Sequence, residues 1–327
     1  MQGECHCTER NVAVTDVDDI GPEDSLVELS KFGNVVLPSR AAILLDMPGL
    51  LAFHAHPDDE VTSTGGVLAK YAKAGEQVVV ITATDGAEGE IHNYDNPEEL
   101  KPKLVEMRAE EIADALAILG VKDHEFLGYR DSGMMGTEPN GHPDAFWNAD
   151  FMEATGRLVR LIRKYQPEVL VVYDPFGGYG HPDHIQVHRI GISAYWGSMD
   201  LGRFPLEDGE EYWVPQKIYW SAWPKSRIKA FAKIRLERGM IEREEAERMA
   251  QGGVPDEAIT AHIDVQEFFQ LKEDAWRAHW TQIPADSFFF QAPEDVRPQL
   301  FGLETFCKVF STVDTSRLET DLFEGLR

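Results

Sequence analysis

Residues 50–66 read LLAFHAHPDDEVTSTGG, an apolar run that passes without a spacer into histidine, proline and three successive acids. The apolar part, GLLAFHA (49–55), has the length and continuity of a strand buried on both faces. TSTGGVLAKYAKAG (62–75) then carries helical spacing and closes on Gly75, a residue suited to a left-handed helix end. Between them stand His56, Pro57, Asp58, Asp59 and Glu60, whose adjacent carboxylates repel one another. A strand that delivers such a cluster to the start of a helix raises the expectation of a site.

The same alternation continues along the chain. QVVVITATDG (77–86) is a second buried strand and residues 98–119 are expected to form a long helix. Val105, Ala109, Ile112, Leu116 and Leu119 are its expected apolar face. HEFLGYRD (124–131) is a short third strand. Residues 150–165 are helical, with Ala154, Leu158, Leu161, Ile162 and Tyr165 on one side. EVLVVYD (168–174) is a fourth strand, and another helix starts near Pro182. Strands each followed by a helix predict an α/β fold, a Rossmann-like, mostly parallel sheet with helices on both faces. Beyond residue 200 the alternation weakens into an elaborated C-terminal part. KIYWSAW (217–223) is a candidate strand there, and 227–250 and 264–281 are expected to be helical.

Residues 1–46 are acidic and weakly patterned and are expected to form an N-terminal extension, with 47–327 as one elaborated domain. The pattern tightens at Met47, and a start at that residue is the alternative expectation. The 57 acidic against 31 basic residues, a net charge of -26, argue against nucleic acid and against an anionic membrane surface as partners. No stretch offers the roughly 18 apolar residues of a membrane span. Three cysteines make no disulfide framework, and a cytoplasmic location is expected.

A second strand end repeats the first motif. EVLVVYD leads through PFGGYG into His181-Pro182-Asp183-His184, matching His56-Pro57-Asp58-Asp59 after β-type residues 49–55. Ligands of open α/β sheets bind at the carboxyl ends of strands. Imidazole with carboxylate suits zinc or another first-row divalent ion, and His56, Asp59 and His184 would leave a coordination position open for water. Asp58 would stand beside that water. A doubly charged ion would also offset the repulsion among the carboxylates. One tetrad alone reads equally well as a helix N-terminus capped by Asp58 or Asp59; two tetrads on two strand ends favour the metal. His54, His92, His124, His142 and His262 have no partner spacing and are expected to be structural or solvated. His188, one turn after His184, is the best additional candidate. Glu60 is left with a helix-dipole or supporting role.

AHPDDE followed by GGYGHPDH resembles the LmbE/PIG-L superfamily of zinc-dependent N-deacetylases. TDGAEGE, MRAEEIADALAILG, YRDSGM, DPFGGYGHPDHIQVH, AHWTQI and DLFEGLR are similar to its mycothiol branch, which holds a biosynthetic deacetylase and a mycothiol S-conjugate amidase. The resemblance implies one Zn2+ per chain, with iron(II) as an alternative in the cell, on His56, Asp59 and His184. It implies Asp58 as the general base, His181 as oxyanion stabiliser and proton donor with Asp183 orienting it, and Tyr179 as the group that polarises the carbonyl. Glu90, Arg108 and Asp131 would contact the sugar or inositol; for Arg108 a surface helix arginine is an equal reading. The expected substrate is a small N-acyl amino sugar, with homo-oligomerisation left open. The expected reaction is hydrolysis of its amide, either deacetylation of an N-acetylglucosaminyl-inositol or cleavage of the larger S-conjugate. A natural-product sugar deacetylase, a metal-dependent phosphoesterase and a carbohydrate-binding module are the competing readings.

Overall fold

Alternate residues of the central strands enter two separate cores, which is how one sheet comes to be covered on both faces. In the computed structural model, which describes residues 48–291 and 297–327, β1 (Pro48–His54) lies beside β2 (Gln77–Thr84) on one side and β4 (Val169–Tyr173) on the other. Leu50 and Ala52 pack with Val78, Val80, Val169 and Val171 on one face, while Leu51 and Phe53 pack with Val79, Ile81, Leu170 and Val172 on the other. Helices α1 (Asp59–Ala74) and α2 (Leu104–Leu119) close the first core, and α3 (Phe151–Tyr165) and α4 (Pro182–Gly197) close the second. The expected extension at 1–46 and the internal start at Met47 lie outside the described residues.

Adding β3 (Asp123–Tyr129) and β5 (Lys217–Ser221) gives five parallel strands in the order β3-β2-β1-β4-β5. The expected parallel α/β sheet is therefore present. Gly75, at φ 88°, ends α1 in the left-handed conformation read for it.

Three local readings need correction. The helix expected over 98–119 is broken: a short turn at Pro97–Leu100 and a 3-10 segment at Lys101–Lys103 precede α2. Pro102 lacks the N–H that an unbroken helix would use and crowds the carbonyl four residues back. At its start the buried stripe of α2 is also shifted by one residue, to Leu104 and Arg108, with Val105 40 % exposed, while Ile112, Leu116 and Leu119 are buried as expected. Arg108 can turn inward because backbone carbonyls receive its guanidinium. The segment 227–250 is two helices, α5 (Lys225–Glu237) and α6 (Arg243–Met249), parted near Gly239 at φ 68°.

The larger difference is at the sheet edge. β6 (Ala261–Asp264) and β7 (Leu303–Ser311) were not expected, and β7 inserts antiparallel between β5 and β6. LETFCKVFS hides its strand character because Glu304 is a buried residue, paired at 2.6 Å with Lys272 on α7 (Phe269–Ala278). A buried ion pair cannot be seen in a hydrophobic pattern.

Where α4 crosses the sheet, backbone contact is close: a Cβ at Gly191 would lie 2.5 Å from Val172 Cγ1. Alanine is otherwise the better helix residue by about 1 kcal/mol, but overpacking of about 1–3 kcal/mol outweighs that gain. Gly191→Ala is expected to lower the urea midpoint of unfolding.

Candidate metal centre and active site

The chain leaves β1 toward β2 and leaves β4 toward β5, so the two connections diverge from adjacent strands. The crevice opened at such a reversal is where doubly wound sheets bind ligands. Both histidine motifs occupy it, each at a helix start, α1 after His56–Asp58 and α4 after His181. Asp58, at the N-cap of α1, makes no side-chain capping bond, and the Asp59 carboxylate accepts instead from the His56 backbone N–H at 2.8 Å. Capping therefore does not account for these acids.

Asp59 Oδ2 stands 3.2 Å from His56 Nδ1 and 3.3 Å from His184 Nε2. Donors placed 2.0–2.2 Å from a tetrahedral ion are separated by about 3.3–3.6 Å, close to what these atoms show. His184 Nε2 is buried and, among the described residues, has no well-aligned hydrogen bond, although it approaches Asp59 Oδ2. The residues fit a divalent cation. His181 also comes near: His56, His181 and His184 offer nitrogens within 4.8 Å of one another, and a second group combines nitrogens of His56 and His181 with carboxylate oxygens of Asp131 and Asp183 within the same distance. His181 Nδ1, however, accepts the Asp183 backbone N–H at 3.2 Å, whereas Asp59 has its oxygen between the two other imidazoles.

Carboxylates converge on His56 from three sides: Asp59 on Nδ1, with Asp183 at 3.2 Å and Asp131 at 3.5 Å from Nε2. Burial opposes charge on His56, but these carboxylates outweigh it and raise the imidazole pKa well above its usual value. An excess of negative charge of this kind is what a bound cation neutralises. Asp183 was expected to orient His181. Its carboxylate instead takes the Ser132 N–H at 2.9 Å, the Ser132 hydroxyl and His56 Nε2, leaving only its backbone N–H for His181. Hydrogen bonds of this type set the tautomer of a metal-binding histidine.

Asp58 stands apart from that cluster. Burial pushes its carboxyl up to about 6, against the pull of Arg108 and with the help of Asp59. Its backbone sits at φ 129° and ψ -25°, a conformation L-residues avoid. Arg108, only 2 % exposed, donates to Gly86 O at 2.7 Å and to Pro57 O, and lies 3.3 Å from Asp58 Oδ2. It is neither a surface residue nor a free group aimed at a sugar. Asp131 is buried and receives the N–H groups of Gly133 and Glu88. Glu90 is not brought in; its side chain is 87 % exposed and approaches His92 at 3.8 Å. Tyr179 stands on the rim, 60 % exposed, its ring edge-on to His184 with centroids 4.9 Å apart.

Residues outside the expected ligand and catalytic set complete the surroundings. His54 bonds the Tyr173 hydroxyl at 2.8 Å and Thr64 at 3.0 Å, and the Tyr173 ring stacks on His184. Burial lowers the His54 pKa to about 4, so it is a neutral support. His188 reaches Tyr173 O at 2.9 Å and not the cluster. Glu60 and His279 are wholly buried and paired at 2.7 Å. Burial opposes charge on each, yet the partner dominates, lowering the Glu60 pKa and raising that of His279. A cavity of about 790 Å³ opens beside the cluster; Asp59, Tyr179 and His184 line one part and Trp223, Phe231 and Met249 another.

Comparison with known proteins agrees with this geometry. The family model described as GlcNAc-PI de-N-acetylase, PIG-L, matches residues 51–195. The chain is 41 % identical over 293 residues to 1D-myo-inositol 2-acetamido-2-deoxy-alpha-D-glucopyranoside deacetylase 1 of Catenulispora acidiphila, covering 85 % of this chain and 89 % of that one. Among solved structures it resembles N,N'-diacetylchitobiose deacetylase of Pyrococcus horikoshii, with TM-score 0.56 and 22 % identity over 81 % of this chain and 84 % of that one. It also resembles GalB, a 4-carboxy-2-hydroxymuconate hydratase of Pseudomonas putida, with TM-score 0.52 and 19 % identity over 83 % and 99 % of the two chains. At such identities the two structures speak for the fold, and their different reactions show that the fold alone does not choose the chemistry. With a relative this similar along nearly its whole length and the two HPD motifs assembled at one switch point, the chain belongs to the LmbE/PIG-L superfamily.

Proposed function

We propose that the protein is a zinc-dependent amidohydrolase that removes acetyl from an N-acetylglucosaminyl-inositol. The observation that carries this reading is the carboxylate of Asp59 seated between His56 and His184, with Asp58 preceding it at the same helix start. Two imidazoles and one carboxylate are a donor set for zinc, with iron(II) the alternative. An ion held there supplies a Lewis acid for the amide carbonyl and lowers the pKa of water toward ~7.

The chain's own residues would do the rest. Asp58, with its carboxyl near 6, is ionised at neutral pH yet basic enough to take a proton from the attacking water. Arg108, 3.3 Å away, limits the positions open to that carboxylate. His181 has its pKa lowered to about 4 by burial, then by His56 and His184, so it is neutral at pH 7. Its Nδ1 is occupied by the Asp183 N–H, which leaves Nε2–H as the hydrogen-bond donor toward the developing oxyanion, while the proton that the departing nitrogen needs returns from Asp58. Tyr179, with its ring against His184, would donate its hydroxyl to the same oxygen. Asp183 and Ser132 hold His56 in place.

The cavity supports a second reading. Its apolar side at Trp223, Phe231 and Met249 has room for an acyl group larger than acetyl, as cleavage of a mycothiol S-conjugate requires. Phosphoester hydrolysis is less well served, because Arg108 is engaged by two carbonyls and Asp58. Incubation of the metal-loaded protein with N-acetylglucosaminyl-inositol, a mycothiol S-conjugate and p-nitrophenyl phosphate decides among them. Primary amine is expected from the acetylated sugar; amine from neither amide, or release of phosphate, would overturn the proposal.

Two variants check the assigned roles by metal analysis and turnover. Asp58→Asn is expected to keep about one ion per chain and to lose on the order of 10²–10⁴ in kcat. Asp59→Ala is expected to lose the ion itself, with activity falling in proportion to metal content.

A further inference from the structure

One peptide unit next to the metal ligands is gripped at both ends. The Pro57 carbonyl accepts from Arg108 Nη2, and the Asp58 N–H of the same peptide donates to Glu60 Oε2 at 2.9 Å. The other oxygen of Glu60 is held by His279 Nε2 at 2.7 Å. Glu60 and His279 are 0 % exposed and Arg108 is 2 % exposed, so none of these bonds competes with water. His279 comes from a turn anchored elsewhere: Thr281 donates its N–H and its hydroxyl to Glu111 on α2, each at 2.7 Å. Arg108 is on the same helix. The two arms of the grip therefore share one rigid support.

The unit being gripped is the one whose orientation sets φ of Asp58. At 129° that angle lies where a residue with a Cβ is strained, so the backbone would leave it unless held. An ordinary N-cap residue is extended and uses its side chain to cap the helix. Asp58, the sequence neighbour of Asp59, does neither; its carboxylate lies 3.3 Å from Arg108. We infer that Arg108 and the His279-braced Glu60 form a clamp on the Pro57–Asp58 peptide that holds Asp58 in its strained geometry and so aims the general base. This rests on the role proposed for Asp58. Glu60 and His279 are positioning residues, acting through Asp58 and touching no substrate.

The clamp can be tested without substrate on the full-length, metal-loaded chain. Asp58→Gly is expected to melt at least about 2 °C above Asp58→Ala, because glycine accepts a φ of 129° without strain. Glu60→Ala/His279→Leu removes both members of the brace together, so neither is left buried without the other, and it releases the Asp58 N–H. In that background the order is expected to reverse, since the relaxed backbone no longer favours glycine. A gap absent from the native background, or one unchanged without the brace, would overturn the inference. If the chain proves to act on some other substrate, this cycle is unaffected.

A kinetic arm connects the clamp to catalysis. Glu60→Ala/His279→Leu is expected to bind one ion per chain, keep KM within about twofold and lose at least tenfold in kcat. Glu60→Gln, which still offers an oxygen to the Asp58 N–H, is expected to recover part of that loss. Full kcat in the double variant would show that the clamp aims nothing, and loss of the ion would show that it supports the ligands instead.

Discussion

Everything at the site depends on the parallel pairing of Leu50–Ala52 in β1 with Val169–Val171 in β4. These strands are neighbours, yet their outgoing chains part to opposite sides of the sheet. Backbone hydrogen bonds in the ladder hold the two carboxyl ends at a fixed spacing, and the diverging loops open the crevice above them. His56 and His184 are 128 positions apart in the chain, and only this pairing makes them neighbours. The apolar residues of both strands, buried on both faces, supply the rigidity that a metal site needs from its support.

Charge is then managed in layers outward from that crevice. Asp59, Asp131 and Asp183 surround His56, each anchored by further donors: the His56 backbone N–H, the Gly133 and Glu88 N–H groups, and Ser132. Burying several carboxylates is costly unless each has partners, and here each is partnered from a different element. The C-terminal part of the chain contributes to the same end. His279 neutralises Glu60 beneath the loop, and Lys272 neutralises Glu304, whose oxygens also receive the Gly66 and Val67 N–H groups of α1. The region that reads as elaboration in sequence is thus bonded to the helix that begins at the metal ligands.

Much of the fold was legible because its causes are local. Continuous apolar runs such as EVLVVYD belong only in a sheet covered on both sides, and Gly75 marks a helix end through its own conformational freedom. Where a residue's burial is set by a distant partner, the pattern misled. Arg108 turned inward because the carbonyls of Gly86 and Pro57 await it, moving the buried face by one position at the start of α2. Glu304 concealed β7 because Lys272 lies 32 residues away in sequence. Glu90 fits its motif in the sequence but extends into solvent.

What the sequence determined by itself was the α/β alternation and the two histidine motifs at strand ends, since periodicity and residue chemistry are properties of short segments. Which atoms of those motifs meet was decided by tertiary structure. Only the folded chain turns the Asp183 carboxylate to His56 and Ser132, and gives Glu60 to His279. Only there is Asp58 held at a backbone angle that its own preferences oppose. The physical reason is the same throughout. A polar group's place in a protein is set by the partners that satisfy it, and here those partners come from opposite ends of the chain.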